Sequence, residues 1–326
     1  MPPFLGFAVV THTQPQQVAY LCHRLSALFD RPPIAIHHDY SKSFLDPSTL
    51  PPETRIVKNW VTTQWGDASV IDAYLAALRL LHSHDRPEWT VSLSGADYPI
   101  KSAGYILNDL RSASADGFLD FRRVSRECIQ PLDARSIAST FQRPEFMHLA
   151  YQRYLSFSVI PRIFLNRMGD RTRLLIGNRT RYLSGAPLTR LFTPFSATFR
   201  PFAGDWWHTI NRRAAAVLTE DTPQSRRLRR YLNHRPSPEE SYYHTLLLNQ
   251  PDLHIENDNR RFTLWNGGSP HPQLLGYDDI PTMVSSPAHF ARKFPFDPSL
   301  YSAVDAAVIA LKSRPAFGDR IEFAPD

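Results

Sequence analysis

The amino-acid sequence predicts an α/β fold with a mainly parallel central sheet flanked by helices, and two observations carry that prediction. Apolar runs of strand length alternate with segments whose apolar residues recur at helical spacing. The runs also end on Asp, Gly, Gln and Lys, residues suited to face a ligand beyond the carboxyl ends of parallel strands. A third, negative observation narrows the class. Neither Gly-x-Gly-x-x-Gly nor a P-loop follows the first run, which speaks against a dinucleotide dehydrogenase and a P-loop kinase.

Phe4 to Val10 is a continuous apolar run, as expected of a strand buried on both faces. Pro15 to Phe29 places Val18, Leu21, Leu25 and Leu28 on one helical face, and Ile34-Ala35-Ile36-His37-His38-Asp39 is a short strand ending on a carboxylate, so the chain opens with a βαβ unit. Arg55 to Lys58 reads as another strand. Gln64-Trp65-Gly66-Asp67-Ala68-Ser69 leads into a helix carrying Val70, Ile71, Tyr74, Leu75, Leu78 and Leu81. Trp89 to Leu93 is strand-like and runs into Ser94-Gly95-Ala96-Asp97-Tyr98-Pro99-Ile100-Lys101, followed by a helix near Ala103 to Leu110 and a strand near Phe118 to Phe121. Between Arg122 and Arg200 the periodicity weakens. This stretch reads as an insertion with irregular helices, serving as part of an acceptor site, as a patch for a membrane surface or anionic polymer, or simply as a solvated face. Ala197 to Phe202 resumes the strand pattern, Arg226 to Arg230 lie on a helix before Ser237, and strands near Leu253 to Ile255 and Arg260 to Trp265 precede a last helix near Pro298 to Lys312.

Composition limits the partners. A chain of 326 residues that is 42% hydrophobic can bury a large core, and a formal charge of +6 is a mild bias toward acidic or phosphorylated ligands that does not by itself argue for nucleic acid. Cys22 and Cys128 make neither a disulfide framework nor a zinc site, which fits a reducing compartment. With no secretion signal and no membrane-length apolar run, the expectation is a cytoplasmic protein, at most peripheral to the inner membrane.

Two stretches hold candidate chemistry. Ser237-Pro238-Glu239-Glu240 opens a helix, with Ser237 as its cap and Pro238 in its first turn. Glu240 then either closes a capping box on the Ser237 amide or, held ionised near the positive end of the helix, accepts a proton from a bound hydroxyl. Gly204-Asp205-Trp206-Trp207 sets two indoles beside a carboxylate, which suits a sugar ring and equally suits a core.

Taken together, Val9-Val10-Thr11-His12, Ile36 to Ser43, Gln64 to Val70, Leu93 to Lys101, Gly204-Asp205-Trp206, Ser237 to Ser241 and Phe290-Ala291-Arg292-Lys293-Phe294 resemble, in family order, the Core-2/I-branching glycosyltransferases. That family includes animal β-1,6-N-acetylglucosaminyltransferases, peptide O-xylosyltransferases and plant glucuronosyltransferase-like members. The resemblance implies a GT-A type fold and inverting, metal-independent transfer from a UDP-sugar to a glycan, lipid-linked or protein hydroxyl, without a cofactor. Glu240 matches the catalytic base, Arg292 and Lys293 match the stabilisers of the UDP leaving group, and Arg261 is a helper. Thr11, His12, Asp39 and Trp65 would line the uridine pocket, with Asp97, Asp205 and Trp206 near the sugars. The absence of Asp-x-Asp, the usual grip for a divalent ion on a diphosphate, agrees with the metal-free expectation. Without the membrane anchor and many cysteines of animal members, the chain resembles a bacterial-type relative. It divides into a single domain over 1–315, with 1–121 as the nucleotide-binding half, 122–200 as the insertion and 201–315 as the catalytic half, and a tail over 316–326. The alternatives are a catalytically silent nucleotide-sugar- or glycan-binding protein of the same fold and, from the Arg clusters, a binder of anionic polymers.

Overall fold

A computed structural model describes residues 2–123, 194–233, 237–265 and 272–312, together with the backbone of four strands between 155 and 184. Its centre is a seven-stranded sheet. In chain order the strands are β1 (Leu5–Thr11), β2 (Ile34–His38), β3 (Thr54–Ile56) and β4 (Trp89–Ser94), then, after the two-residue β5 (Tyr98–Pro99), β6 (Gly117–Leu119). The short β7 (Arg122–Arg123), the strands β8 (Leu155–Phe157), β9 (Ile163–Met168), β10 (Arg171–Ile176) and β11 (Arg179–Ser184), and β12 (Phe202–Ala203) lie outside it. Last come β13 (His208–Asn211) and β14 (Ile255–Asn257), while β15 (Arg261–Thr263) and β16 (Phe290–Arg292) pair elsewhere. The order across the sheet is β14-β6-β13-β4-β1-β2-β3, parallel except at β13, which runs antiparallel to both its neighbours.

Helices cover both faces because the strands are apolar on both. Phe7 and Val9 of β1 belong to the core shared with α1 (Pro15–Leu28), whereas Ala8 and Val10 pack into the core shared with α2 (Ser69–His84). Val18, Leu21 and Leu25 supply the buried stripe of α1, and Ile71, Leu78 and Leu81 supply that of α2. Further helices are α3 (Ala103–Ser112), α4 (Arg212–Thr219), α5 (Pro223–Leu232), α6 (Glu239–Leu248), α7 (Ile280–Ser285) and α8 (Pro298–Lys312). Among the described residues no helix is long and apolar enough to cross a membrane.

Two expectations change here. The strand expected over Ala197 to Phe202 shrinks to β12, which pairs only with β7, and the strand that enters the main sheet is β13. Its polar start hides it in the sequence, but His208 is fully buried, with its backbone N–H donating to Ser92 Oγ at 2.8 Å and its ring taking a hydrogen bond from Tyr74 Oη at 2.6 Å. The irregular helices expected between Arg122 and Arg200 are replaced, where that stretch is described, by a four-stranded antiparallel sheet in the order β11-β10-β9-β8. Met168 pairs with Arg171 and Ile176 with Arg179, so two residues separate each pair of strands, and those residues are Gly169-Asp170 and Gly177-Asn178. Gly-Asp and Gly-Asn between runs rich in β-branched and apolar residues are hairpin signals.

A separate three-stranded sheet has the order β15-β16-β5. It pairs Ala291 with Tyr98 and Thr263 with Arg292, and so fastens the C-terminal motif to the loop that leaves β4.

Candidate active site

The carboxyl ends of β1, β2 and β4 and the start of β13 meet at one edge of the sheet. On the β2 side, Asp39 is fully buried and accepts four hydrogen bonds, from Ser41 N (3.1 Å), Ser41 Oγ (2.6 Å), Thr63 N (2.7 Å) and Thr63 Oγ1 (2.8 Å). Burial opposes its ionisation, yet these donors together outweigh burial and hold the carboxyl well below the usual range. Lys42 Nζ sits 3.6 Å from the same carboxylate. His38, which was not singled out from the sequence, crosses between loops. Ser43 O can only accept, so the His38 Nε2–H donates to it at 2.9 Å, and the Thr11 hydroxyl donates to His38 Nδ1 at 2.8 Å. Thr11 is thereby buried, and His12 follows it at the surface. Trp65 stands on the rim, 67% exposed, next to Gly66, whose positive φ of 70° suits glycine.

On the β16 side, the Arg292 guanidinium lies 4.0 Å from the centre of the Trp207 ring, and its Nε is 3.7 Å from Asp97 Oδ1. Trp207 in turn stacks on Trp206, ring centres 4.2 Å apart. Asp97 therefore faces Arg292 and, through its other oxygen, the Ser94 amide and hydroxyl. Arg261 is buried, and its guanidinium is engaged by carbonyls, including Ser92 O at 3.0 Å and Asn259 O at 3.1 Å. Burial lowers its pKa to about 10. It lies beneath the site, in the fields of Asp97 and Asp205, both of which favour its charge. Lys293 differs from both arginines, because its ammonium makes no hydrogen bond and no ion pair among the described residues. Burial, followed by the neighbouring Arg292, pulls its pKa down.

The third wall is the start of α6. Ser237 does not cap this helix through its side chain; it adopts a positive φ of 46°, and its N–H donates to Gly66 O at 3.0 Å. The capping box is therefore absent, and a Glu240 side-chain oxygen, buried, has no hydrogen-bond partner among the described residues. The Glu240 backbone oxygen accepts from Gly204 N at 2.9 Å, which ties Asp205 and Trp206 to the helix. Only glycine fits at 204, because a Cβ would lie 1.6 Å from Asp120 O.

The expectation that the helix start keeps Glu240 ionised is reversed. Burial, then Glu239, then Asp205 lift its pKa well above the carboxylate range. A helix terminus contributes at most about 2 kcal/mol, whereas taking a carboxylate out of water costs several. Burial likewise raises Asp205 to about 7 and Glu239 to about 8. Asp205 lies in the fields of both Arg292 and Glu240, and Lys293 lies in that of Asp97. Glu240, Asp205, Arg292, Asp97 and Lys293 thus form one continuous cluster, and His12, which feels Lys42, Asp39 and Lys293, joins it to the β2 side.

His208 and Glu239 complete the cluster without having been assigned a role from the sequence, and Trp207, read there only as one of two indoles suited to a sugar or a core, joins them as the face under Arg292. Lys42 and His38 lay inside the matched stretch Ile36 to Ser43 and Glu239 inside Ser237 to Ser241, so motif membership was the signal that could have found them. A separate cavity of about 420 Å³, lined by Pro194, Phe195, Phe199 and Arg227 among others, shares no residue with this cluster. Among the described residues no group of three or more His, Cys, Asp or Glu is disposed to hold a metal ion.

Comparison with known proteins gives concordant results. A sequence model described as Core-2/I-Branching enzyme matches residues 5–134 and 166–284. Xylosyltransferase 1 of Homo sapiens is 26% identical over 247 residues, which is 71% of this chain and 21% of that protein. Beta-glucuronosyltransferase GlcAT14A of Arabidopsis thaliana is 25% identical over 256 residues, 77% of this chain and 49% of that protein. The chain therefore spans between about a fifth and a half of the length of these relatives. The crystal structure of the galactosyltransferase LgtC with donor and acceptor sugar analogs covers 94% of this chain and 97% of its own, at 10% identity and a TM-score of 0.36, too distant a likeness to bear on the site.

Proposed function

The chain belongs to the Core-2/I-branching enzyme family, and we propose that it is an inverting, metal-independent glycosyltransferase that moves a sugar from a UDP-sugar to an acceptor hydroxyl. The family's GT-A expectation agrees with the mainly parallel, helix-flanked sheet. In this reading Glu240 takes the proton from the acceptor as its oxygen bonds to the anomeric carbon. The bond from that carbon to the diphosphate oxygen breaks on the opposite face, and its electron pair leaves with UDP. Lys293 and Arg292 meet the charge that develops there. At an effective dielectric near 20, one cation about 4 Å from a phosphate oxygen is worth on the order of 4 kcal/mol.

A single observation carries the proposal. Chain segments more than fifty residues apart bring together, through Asp205, Arg292 and Asp97, a carboxyl group with one oxygen lacking a hydrogen-bond donor and an ammonium that makes no hydrogen bond or ion pair, both among the described residues. The raised proton affinity of Glu240 suits a base that must capture a hydroxyl proton. It also requires Glu240 to be deprotonated before each turnover. The Trp206 and Trp207 indoles, with Asp205, offer an apolar face and a hydrogen-bonding edge to a sugar.

The test is a screen of UDP-sugars for UDP release by purified protein in EDTA, with and without glycan and hydroxyl acceptors. Release that EDTA does not suppress is expected. Turnover that appears only after manganese is added contradicts the metal-free mechanism, and UDP-sugar binding without any turnover identifies a silent binding protein.

A further inference from the structure

We propose that His12, Lys42 and Lys293 form one anion-binding corner for the donor diphosphate, and that a UDP-sugar takes up a proton at His12 as it binds. The inference rests on the donor assignment above and adds to it a residue and a linkage.

Three separate parts of the chain build this corner. Ser43 Oγ donates to His12 O at 3.0 Å, and the Asp39 amide donates to Thr11 O at 2.9 Å, so the loop carrying Lys42 is folded against the end of β1. Lys42 Nζ is held 3.3 Å from Thr63 Oγ1. On the other side, Phe294 N donates to Ala96 O at 2.9 Å and Gln17 Nε2 donates to Phe294 O at 3.0 Å, which clamps Lys293 between the β4 loop and the first turns of α1.

The charges around His12 are Lys42, Lys293 and Asp39, with His38 beside them. Asp39 is the one anion, but its oxygens take hydrogen bonds from Ser41 and Thr63 as well as facing Lys42 at 3.6 Å, and Lys293, which feels Asp97, makes no ion pair among the described residues. In the unliganded protein, partial desolvation and then Lys42 keep the His12 ring neutral, with Lys293 adding to the effect. A diphosphate placed between the two ammonium groups cancels the repulsion that disfavours imidazolium. His12 then gains a proton and a charge-assisted hydrogen bond to the same oxygens. By linkage, whatever raises the proton affinity of His12 on binding makes binding tighter as pH falls.

UDP-glucose and UDP-xylose are suitable probes, because neither carries a group that titrates near neutral pH. Each is titrated calorimetrically into the full chain at several pH values, in two buffers that differ in ionisation enthalpy. The wild type is expected to take up a measurable fraction of a proton per UDP-sugar and to bind more tightly toward lower pH. His12→Asn should bind with little uptake and a nearly flat pH dependence. Lys42→Gln should weaken binding by about tenfold and reduce the uptake, since part of the repulsion on His12 is gone beforehand. Binding without proton uptake by the wild type, or uptake that survives in His12→Asn, overturns the inference while leaving the donor assignment standing. If neither UDP-sugar binds, the donor assignment falls and the inference with it.

Discussion

Asp39 and Glu240 are both carboxylates taken out of water, and their surroundings drive them in opposite directions. Asp39, at the end of β2, receives four hydrogen bonds and stays ionised. Glu240, at the start of α6, has an oxygen without a donor among the described residues and two carboxylates for neighbours, and its pKa is pushed well above the carboxylate range. Burial is common to both, so the donors around Asp39 and the carboxylates beside Glu240 set the opposite directions. The β2 side of the site is accordingly prebuilt, whereas the α6 side keeps a strong proton affinity in reserve.

The largest effect that sharpens this contrast is expected from Glu240→Gln. It should lower the rate of transfer by about 10²–10⁴-fold. In the wild type, kcat/KM should fall as pH drops through the raised Glu240 pKa, so the acid limb lies above the usual Glu range and is read from a pH–rate profile. Asp39→Ala comes next. Removing the shared acceptor of Ser41 and Thr63 should cost about 3 kcal/mol of stability at neutral pH, measured by urea unfolding. Because the folded pKa of Asp39 is depressed, its contribution is present above the ordinary Asp pKa and is lost as pH falls below it.

Glu239→Gln should act with the opposite sign. Glu239 is raised to about 8 in the fold, so its contribution to stability is present below the ordinary Glu pKa and is lost as pH rises toward 8. The variant should match the wild type in thermal unfolding near the acid end of that window and exceed it by a few degrees at the alkaline end. It should also shift the acid limb of the rate profile to lower pH, since one carboxylate beside Glu240 is gone. The smallest effect is expected from Trp207→Leu, which removes the face under Arg292. A loss of about 1 kcal/mol should show as a higher KM for the donor, beside the loss of stability that truncating a buried indole brings.

Much of the scaffold was legible because local pattern and burial agree. The apolar run at Phe4 to Val10, the Val18–Leu21–Leu25 stripe and the terminal helix from Pro298 to Lys312 were read from periodicity and are present. β13 was not legible, because His208 is kept in the sheet by Tyr74 and Ser92, partners more than a hundred residues away. The antiparallel sheet within 155–184 carried readable hairpin signals that mixed composition obscured. At the site, motif order supplied the candidate residues, but not their surroundings. Ser237 looked like a cap until its backbone turned left-handed, and Arg261 looked like a ligand contact until burial committed it to carbonyls. The charge of Glu240 depends on Glu239 and Asp205 in a space emptied of water, which no reading of one helical turn supplies.

The most direct test of the pairing at the centre of this account is UDP affinity measured beside turnover in Glu240→Gln and Lys293→Ala. Glu240→Gln should bind UDP as the wild type does while failing to transfer, and Lys293→Ala should lose both affinity and rate. Equal UDP affinity in wild type and Lys293→Ala, or near-normal transfer by Glu240→Gln, would contradict the assignment of leaving-group cation and base.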